Sequence, residues 1–168
     1  MNKLYLITGP AGVGKSTISK LIANRLAKSA LVEGDELYDM VKGSYASPWK
    51  EGNHLDLMWE NSIDIINNFL NKGYDVVFNY IIKNDRFNLL KNEFKNIDIK
   101  FVVLMVDETT IVKRDSGREL DCQMGERSLV LLNEFKKANF DNKYILDTSN
   151  LSVTETVNEI EKNDRFIV

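Results

Sequence analysis

One stretch restricts what this chain can fold into more than any other: Gly9-Pro10-Ala11-Gly12-Val13-Gly14-Lys15-Ser16. It fits the spacing Gly, four residues, Gly-Lys-Ser/Thr, and both flanks agree. An apolar run, Leu4-Tyr5-Leu6-Ile7, precedes it, and Lys15 to Ala27 has helical spacing. Strand, glycine loop and helix together are the context in which this pattern holds a phosphate. The glycines let the backbone take positive φ and bring its N–H groups close to an anion. The helix start adds its partial positive charge. Lys15 is then expected at the outer phosphates and the Ser16 hydroxyl at Mg²⁺, with Thr17 completing the phosphate-facing set.

The rest of the chain supplies strands to go with that first one. Residues 3–8, 30–32, 75–80, 100–106 and 143–147 are apolar runs of strand length. Between them, helical spacing predicts helices over 35–41, 54–71, 85–94, 108–116, 128–138 and 153–161. Ser152 with Glu155 three residues on predicts a capping box for the last. The apolar end, Phe166-Ile167-Val168, is suited to docking on the core. Strands alternating with helices predict an α/β fold of three layers, a parallel sheet with right-handed crossovers and helices on both faces. No linker or repeat interrupts the pattern, so residues 1–168 are expected to form a single domain.

Composition narrows the function classes. The net charge of −3 argues against broad non-specific binding to nucleic acid. A lone cysteine, Cys122, excludes a disulfide framework and fits a reducing compartment. The N-terminus enters a strand almost at once and no apolar run approaches ~18 residues, so neither a signal peptide nor a membrane span is expected. The cytoplasm is the default location. Oligomeric state, monomer or dimer, is left open.

Ligands in such sheets bind beyond the carboxyl ends of the strands, which directs attention to Asp35, Asn79, Asp107 and the residues after Asp147. Asp35 follows the second strand, and Gly34 before it permits a close backbone approach. It is the best candidate for a base or a metal partner, the competing reading being a helix N-cap. The third strand ends in Asn79, an amide that brings no charge to a metal's water. That leaves Asp35 or Asp107 for the metal, and Asp107 reads better as the N-cap of the next helix. Arg114, Arg118 and Arg127 fall in a polar segment, 114–127, that reads as a short lid. Arg114 and Arg118 share a helix face and are placed either to clamp a triphosphate or to pair with Asp115 and Glu119 in solvent. The loop 43–53 resists assignment. It carries Tyr45, Trp49 and Lys50 and leads to His54, either as an acceptor pocket or as a loop tucked onto the core. His54 itself reads as a helix-start residue.

Three stretches together carry a resemblance: Gly9 to Ser16; Gly34-Asp35-Glu36-Leu37; and Arg114-Asp115-Ser116-Gly117-Arg118, followed by a helix and Tyr144-Ile145-Leu146-Asp147-Thr148-Ser149. The chain resembles the small P-loop kinases of the nucleoside-monophosphate-kinase type, which include shikimate kinases, gluconate kinases, zeta-toxin-like phosphotransferases and, as the nearest group, chloramphenicol phosphotransferases. The resemblance implies strand order 2-3-1-4-5, ATP with Mg²⁺, Asp35 as base for an acceptor hydroxyl, and Arg114 and Arg118 at the ATP phosphates. It departs at Asn79, where the nearest group has Asp, and in loop 43–53, so the acceptor does not carry over. The expected activity is ATP-dependent phosphorylation of a hydroxyl on a small molecule, with Asp35 and Ser16 at the metal. The alternatives are a kinase for a nucleotide or polynucleotide 5′ end, and a nucleotide-binding module without an acceptor.

Overall fold

A computed structural model describes residues 2–117 and 123–168. Its centre is a five-stranded parallel sheet in the order β2-β3-β1-β4-β5. The strands are β1 (Lys3–Thr8), β2 (Ser29–Glu33), β3 (Asp75–Asn79), β4 (Asp98–Met105) and β5 (Ile145–Asp147). The helices are α1 (Lys15–Arg25), α2 (Gly34–Tyr38), α3 (Leu55–Asn71), α4 (Asn84–Glu93), α5 (Glu108–Ser116), α6 (Glu126–Lys137) and α7 (Val153–Lys162). This is the α/β, three-layer arrangement expected, in the expected strand order.

Alternate residues of the central strand serve opposite layers, as the pleat requires. Leu4 and Leu6 of β1 join Phe78, Phe101 and Val103 under Met58, Trp59, Ile66 and Leu90 of α3 and α4. Tyr5 and Ile7 join Val77, Val102 and Leu104 under Ile18, Ile22, Val157 and Ile160 of α1 and α7. Burial on both faces explains why these strands read as continuous apolar runs.

Boundaries moved where side chains intervene. The fifth strand loses Lys143 and Tyr144 to a 3₁₀ turn, because the Asp141 carboxylate accepts the Lys143 N–H at 3.0 Å. The fourth begins earlier, at Asp98, because β1 offers Lys3 as its partner there. The second helix stops at Tyr38 rather than running to Val41. The expected caps are present: Asp107 accepts from the Thr110 N–H at 2.6 Å, and Ser152 and Glu155 form a reciprocal capping box. Phe166 is fully buried and the Val168 N–H bonds the Ile99 carbonyl, so the apolar tail docks as expected.

Lys100 is a feature that the pattern did not reveal. It lies in β4, 5% exposed, and its ammonium donates to the carbonyls of Ile160, Glu161 and Asn163 at 3.0, 2.9 and 3.3 Å. These are the orphan carbonyls at the end of α7. A buried lysine thereby fastens the last helix to the sheet.

Candidate active site

The carboxyl ends of the strands open onto one cleft of about 1050 Å³. Its floor is the loop after β1. Gly9, Gly12 and Gly14 have φ of +143°, +83° and +104°, and a Cβ at Gly9 would lie 2.3 Å from the Leu104 carbonyl oxygen. Only glycine fits there. Val13 is buried and anchors the loop in the core. Lys15 is also buried, and its ammonium donates to the carbonyls of Gly9 and Pro10, each at 3.0 Å. The charge is thus folded over the loop's own bowl. Ser16 and Thr17 are exposed to the cleft at the start of α1. That helix has no acid in its first turn, so nothing there opposes its positive end.

Asp35 sits in the first turn of α2 and lines the same cleft. The close approach expected at Gly34 is made by a ring: a Cβ there would lie 2.5 Å from the Tyr80 side chain. Burial, and then the charge of Asp35, push the Tyr80 hydroxyl well above its ordinary value. Asn79 is buried, and its amide donates to the Glu33 carboxylate at 3.2 Å, joining the ends of β3 and β2 sideways. Asp107 is taken up by its cap; Thr110 and Ser149 hold its carboxyl below the usual range. Ser16 and Asp35, the hydroxyl and carboxylate expected at a metal, both line the cleft, as do Thr17 and Asp39. A hard cation that rides mainly on phosphates and water takes such a sparse oxygen set, so Mg²⁺ fits.

Helix α5 braces the loop. Arg114 donates to the Val13 carbonyl at 2.9 Å and to the Thr148 carbonyl at 3.1 Å, tying the phosphate loop to the turn after β5. Its guanidinium is engaged with backbone here rather than projecting freely over the cleft. Its neighbour Asp115, 4% exposed, accepts the N–H groups of Met124 and Gly125 at 3.0 and 2.8 Å. The two ends of the 115–125 segment are thereby pinned together. Arg118, Glu119 and Cys122 lie outside the described residues. Arg127 is described, lines the cleft, and lies 4.6 Å over the Trp49 ring; its buried Nε has no hydrogen-bond partner among the described residues.

The loop 43–53 turns out to close one side of the cleft. Tyr38 donates to the Ala46 carbonyl at 2.6 Å. The His54 ring stacks on Tyr38 at 3.9 Å and bonds the Tyr38 carbonyl, immediately before α3, so it is a helix-start residue. Tyr45 and Trp49 line the cleft with Tyr38, Trp59 and Tyr80. In the sequence Trp59 shows only as a residue of the 54–71 helix and Tyr80 only as the end of the 75–80 strand run; Tyr80 lies just past β3. Their role as cleft walls has no local signal, because it depends on where α3 and β3 end relative to each other.

A glycine loop at the first strand's end and a 2-3-1-4-5 sheet define the fold of the P-loop kinases. The chain belongs to the AAA domain family, whose model matches residues 6–129. It is 30% identical over 131 residues to an adenylate kinase of Borrelia duttonii (strain Ly), covering 68% of this chain but only 56% of that enzyme. Its fold is also that of a sugar kinase from Janibacter sp. HTCC2649, with a TM-score of 0.71 at 14% identity over 95% of this chain and 92% of that one. A gluconokinase from Sinorhizobium meliloti 1021 gives a TM-score of 0.65 at 19% identity over 94% and 89%. No helix among the described residues is long and apolar enough to cross a membrane.

Proposed function

We propose that the protein is a kinase that transfers the γ-phosphoryl group of ATP to the hydroxyl of a small molecule. One observation carries this reading: Asp35 lines the same cleft as the Gly12–Thr17 amides, with aromatic walls beyond it. In the proposed reaction the backbone N–H groups of residues 11–17 hold the β- and γ-phosphates. Lys15 exchanges its two carbonyl partners for phosphate oxygens. Ser16 and Asp35 would hold Mg²⁺, which supplies charge neutralisation on the phosphates when bound. Asp35 accepts the proton of the acceptor hydroxyl as the oxygen–phosphorus bond forms and the bond to the ADP oxygen breaks. Arg127 is the described lid cation nearest in kind to the role expected of Arg118, and Arg114 holds the loop's shape.

ADP release, measured over a panel of alcohols, tests this. Asp35→Asn is expected to lower turnover by about 10²–10⁴-fold, the usual contribution of a general base, while ATP still binds. Lys15→Ala is expected to lose ATP binding. Unchanged turnover in Asp35→Asn refutes the role of Asp35. The adenylate kinase relative supports a second reading, a nucleotide's phosphate as acceptor; faster turnover with nucleoside monophosphates than with alcohols would favour it.

A further inference from the structure

Five cations line the cleft among the described residues, and four of them have oxygen partners. Lys15 donates to two carbonyls of its own loop, and Arg114 to the carbonyls of Val13 and Thr148. Lys83 meets Glu134 at 2.9 Å, and Arg86 meets Asp56 at 2.8 Å. Arg127 differs. Its guanidinium lies 4.6 Å over the Trp49 ring, and its buried Nε donates to no oxygen of the described residues. A donor taken out of water without a hydrogen bond is held at a cost, which a phosphate oxygen would remove. The root of Arg127 lies on the phosphate side. A Cβ at Gly12 would rest 3.7 Å from the Asp115 Cβ, and the Asp115 carboxylate accepts the Gly125 N–H at 2.8 Å. The Arg127 N–H bonds the Met124 carbonyl at 3.1 Å. The main chain of Arg127 is thus moored beside the phosphate loop, while its tip rests on the loop 43–53. Trp49 holds that tip weakly, because its ring is 54% exposed. A cation over so open a ring is worth about two- to fivefold in an equilibrium. A charge-assisted hydrogen bond to phosphate is worth about tenfold or more.

We infer that Trp49 parks Arg127 while the phosphate loop is empty, and that a bound triphosphate draws the guanidinium away and uncovers the Trp49 ring. This rests on the nucleotide-binding part of the kinase reading and adds a coupling to it. Filling one half of the cleft makes the other half ready, so nucleotide precedes acceptor. The ring contact and the phosphate contact compete for one side chain, and that competition is the coupling between the two sites.

Two measurements on the full chain test this, with Mg²⁺ and a non-hydrolysable ATP analogue as the probe. The chain has two tryptophans, so Trp59→Phe leaves Trp49 as the sole indole reporter. Saturating analogue is expected to raise the constant for acrylamide quenching of Trp49 by about twofold, as the covered population empties. Arg127→Met in that background is expected to start at the higher value and to show no further change. The second measurement leaves the buried Trp59 in place, and is a double-mutant cycle read by calorimetry. Trp49→Leu is expected to tighten the analogue by about two- to fivefold when Arg127 is present, the worth of the lost competitor. In Arg127→Met the same substitution is expected to leave affinity unchanged. Quenching that bound analogue does not alter, effects of the two substitutions that simply add, or a Trp49→Leu protein that binds the analogue more weakly overturns the inference and leaves the kinase reading standing. An analogue that does not bind, or that binds Lys15→Ala equally well, overturns both.

Discussion

Replacing Gly34 with alanine puts the connection between the second strand and the aromatic wall of the cleft to a direct test. The backbone at Gly34 has an ordinary conformation, so strain of the main chain is not at issue. The added methyl would lie 2.5, 2.7 and 2.9 Å from the Tyr80 Cδ2, Cγ and Cβ atoms. Those contacts need about 1 Å of retreat to become ordinary van der Waals distances. Tyr80 is 5% exposed and packed edge-on against Trp59, so the retreat disturbs the wall as a unit. Overpacking of this kind costs about 1–3 kcal/mol. For a chain of this length that is a fall in melting temperature of about 2–4 °C per kcal/mol. A displacement of about 1 Å next to Asp35 is also expected to lower kcat/KM for the acceptor by about 100-fold. The Kd for ATP should stay within about twofold, since the phosphate loop is built on β1, not β2. Calorimetric melting and ADP-release kinetics read the two effects independently. A second substitution, Tyr80→Leu on top of Gly34→Ala, makes room for the methyl and should recover part of the stability but not the turnover. A Gly34→Ala protein that melts and turns over like the parent refutes the reasoning.

Three further outcomes are expected. Lys100→Met removes three charge-assisted bonds to the end of α7 but also removes the cost of burying an ammonium; the balance should be a loss of about 2 kcal/mol, a urea midpoint about 1 M lower. A gain in stability would show that desolvation outweighs the bonds. Asp115→Ala removes the carboxylate that accepts both N–H groups, so the Met124 and Gly125 amides should exchange with solvent at least about tenfold faster, and unchanged protection would refute the pinning of that segment. Asp107 and Glu155 are held below their ordinary values of 3.8 and 4.5 by hydrogen bonds from Thr110 and Ser152. Because the folded values are the lower ones, the stabilisation is present above the ordinary values and lost as pH falls through the folded ones. Melting temperature should therefore fall less between about pH 6 and pH 3 in Asp107→Asn/Glu155→Gln than in the parent, whose charged caps are the ones titrated.

The sequence made legible whatever is decided within a few residues. The glycine spacing around Lys15 and the caps at Asp107 and Ser152 are local and stand where their patterns place them, and the buried strands do so to within about two residues at their ends. What was not legible depends on distance. Arg114 shows only as a basic residue on a polar helix; its partners, Val13 and Thr148, lie 101 and 34 positions away. Lys100 looks like the polar first residue of a strand until α7 arrives over it. The aromatic wall of the cleft draws on α2, α3, the residue after β3 and the loop 43–53, and no single stretch announces it. The Gly34 requirement was half readable: the glycine marked a close approach, but not that Tyr80 makes it.

Consecutive residues of α5 point to different tasks, Arg114 to the phosphate loop and Asp115 to the base of the lid, and a Cβ at Gly12 would rest 3.5 Å from Ile111 and 3.7 Å from Asp115. One helical turn is therefore shared mechanically by the bowl and the cover. A push on Val13 from below loads the rung from which Met124 and Gly125 hang. The two cannot be tuned independently by substitutions in that turn: any change that moves Val13 also moves the carboxylate on which Met124 and Gly125 rest.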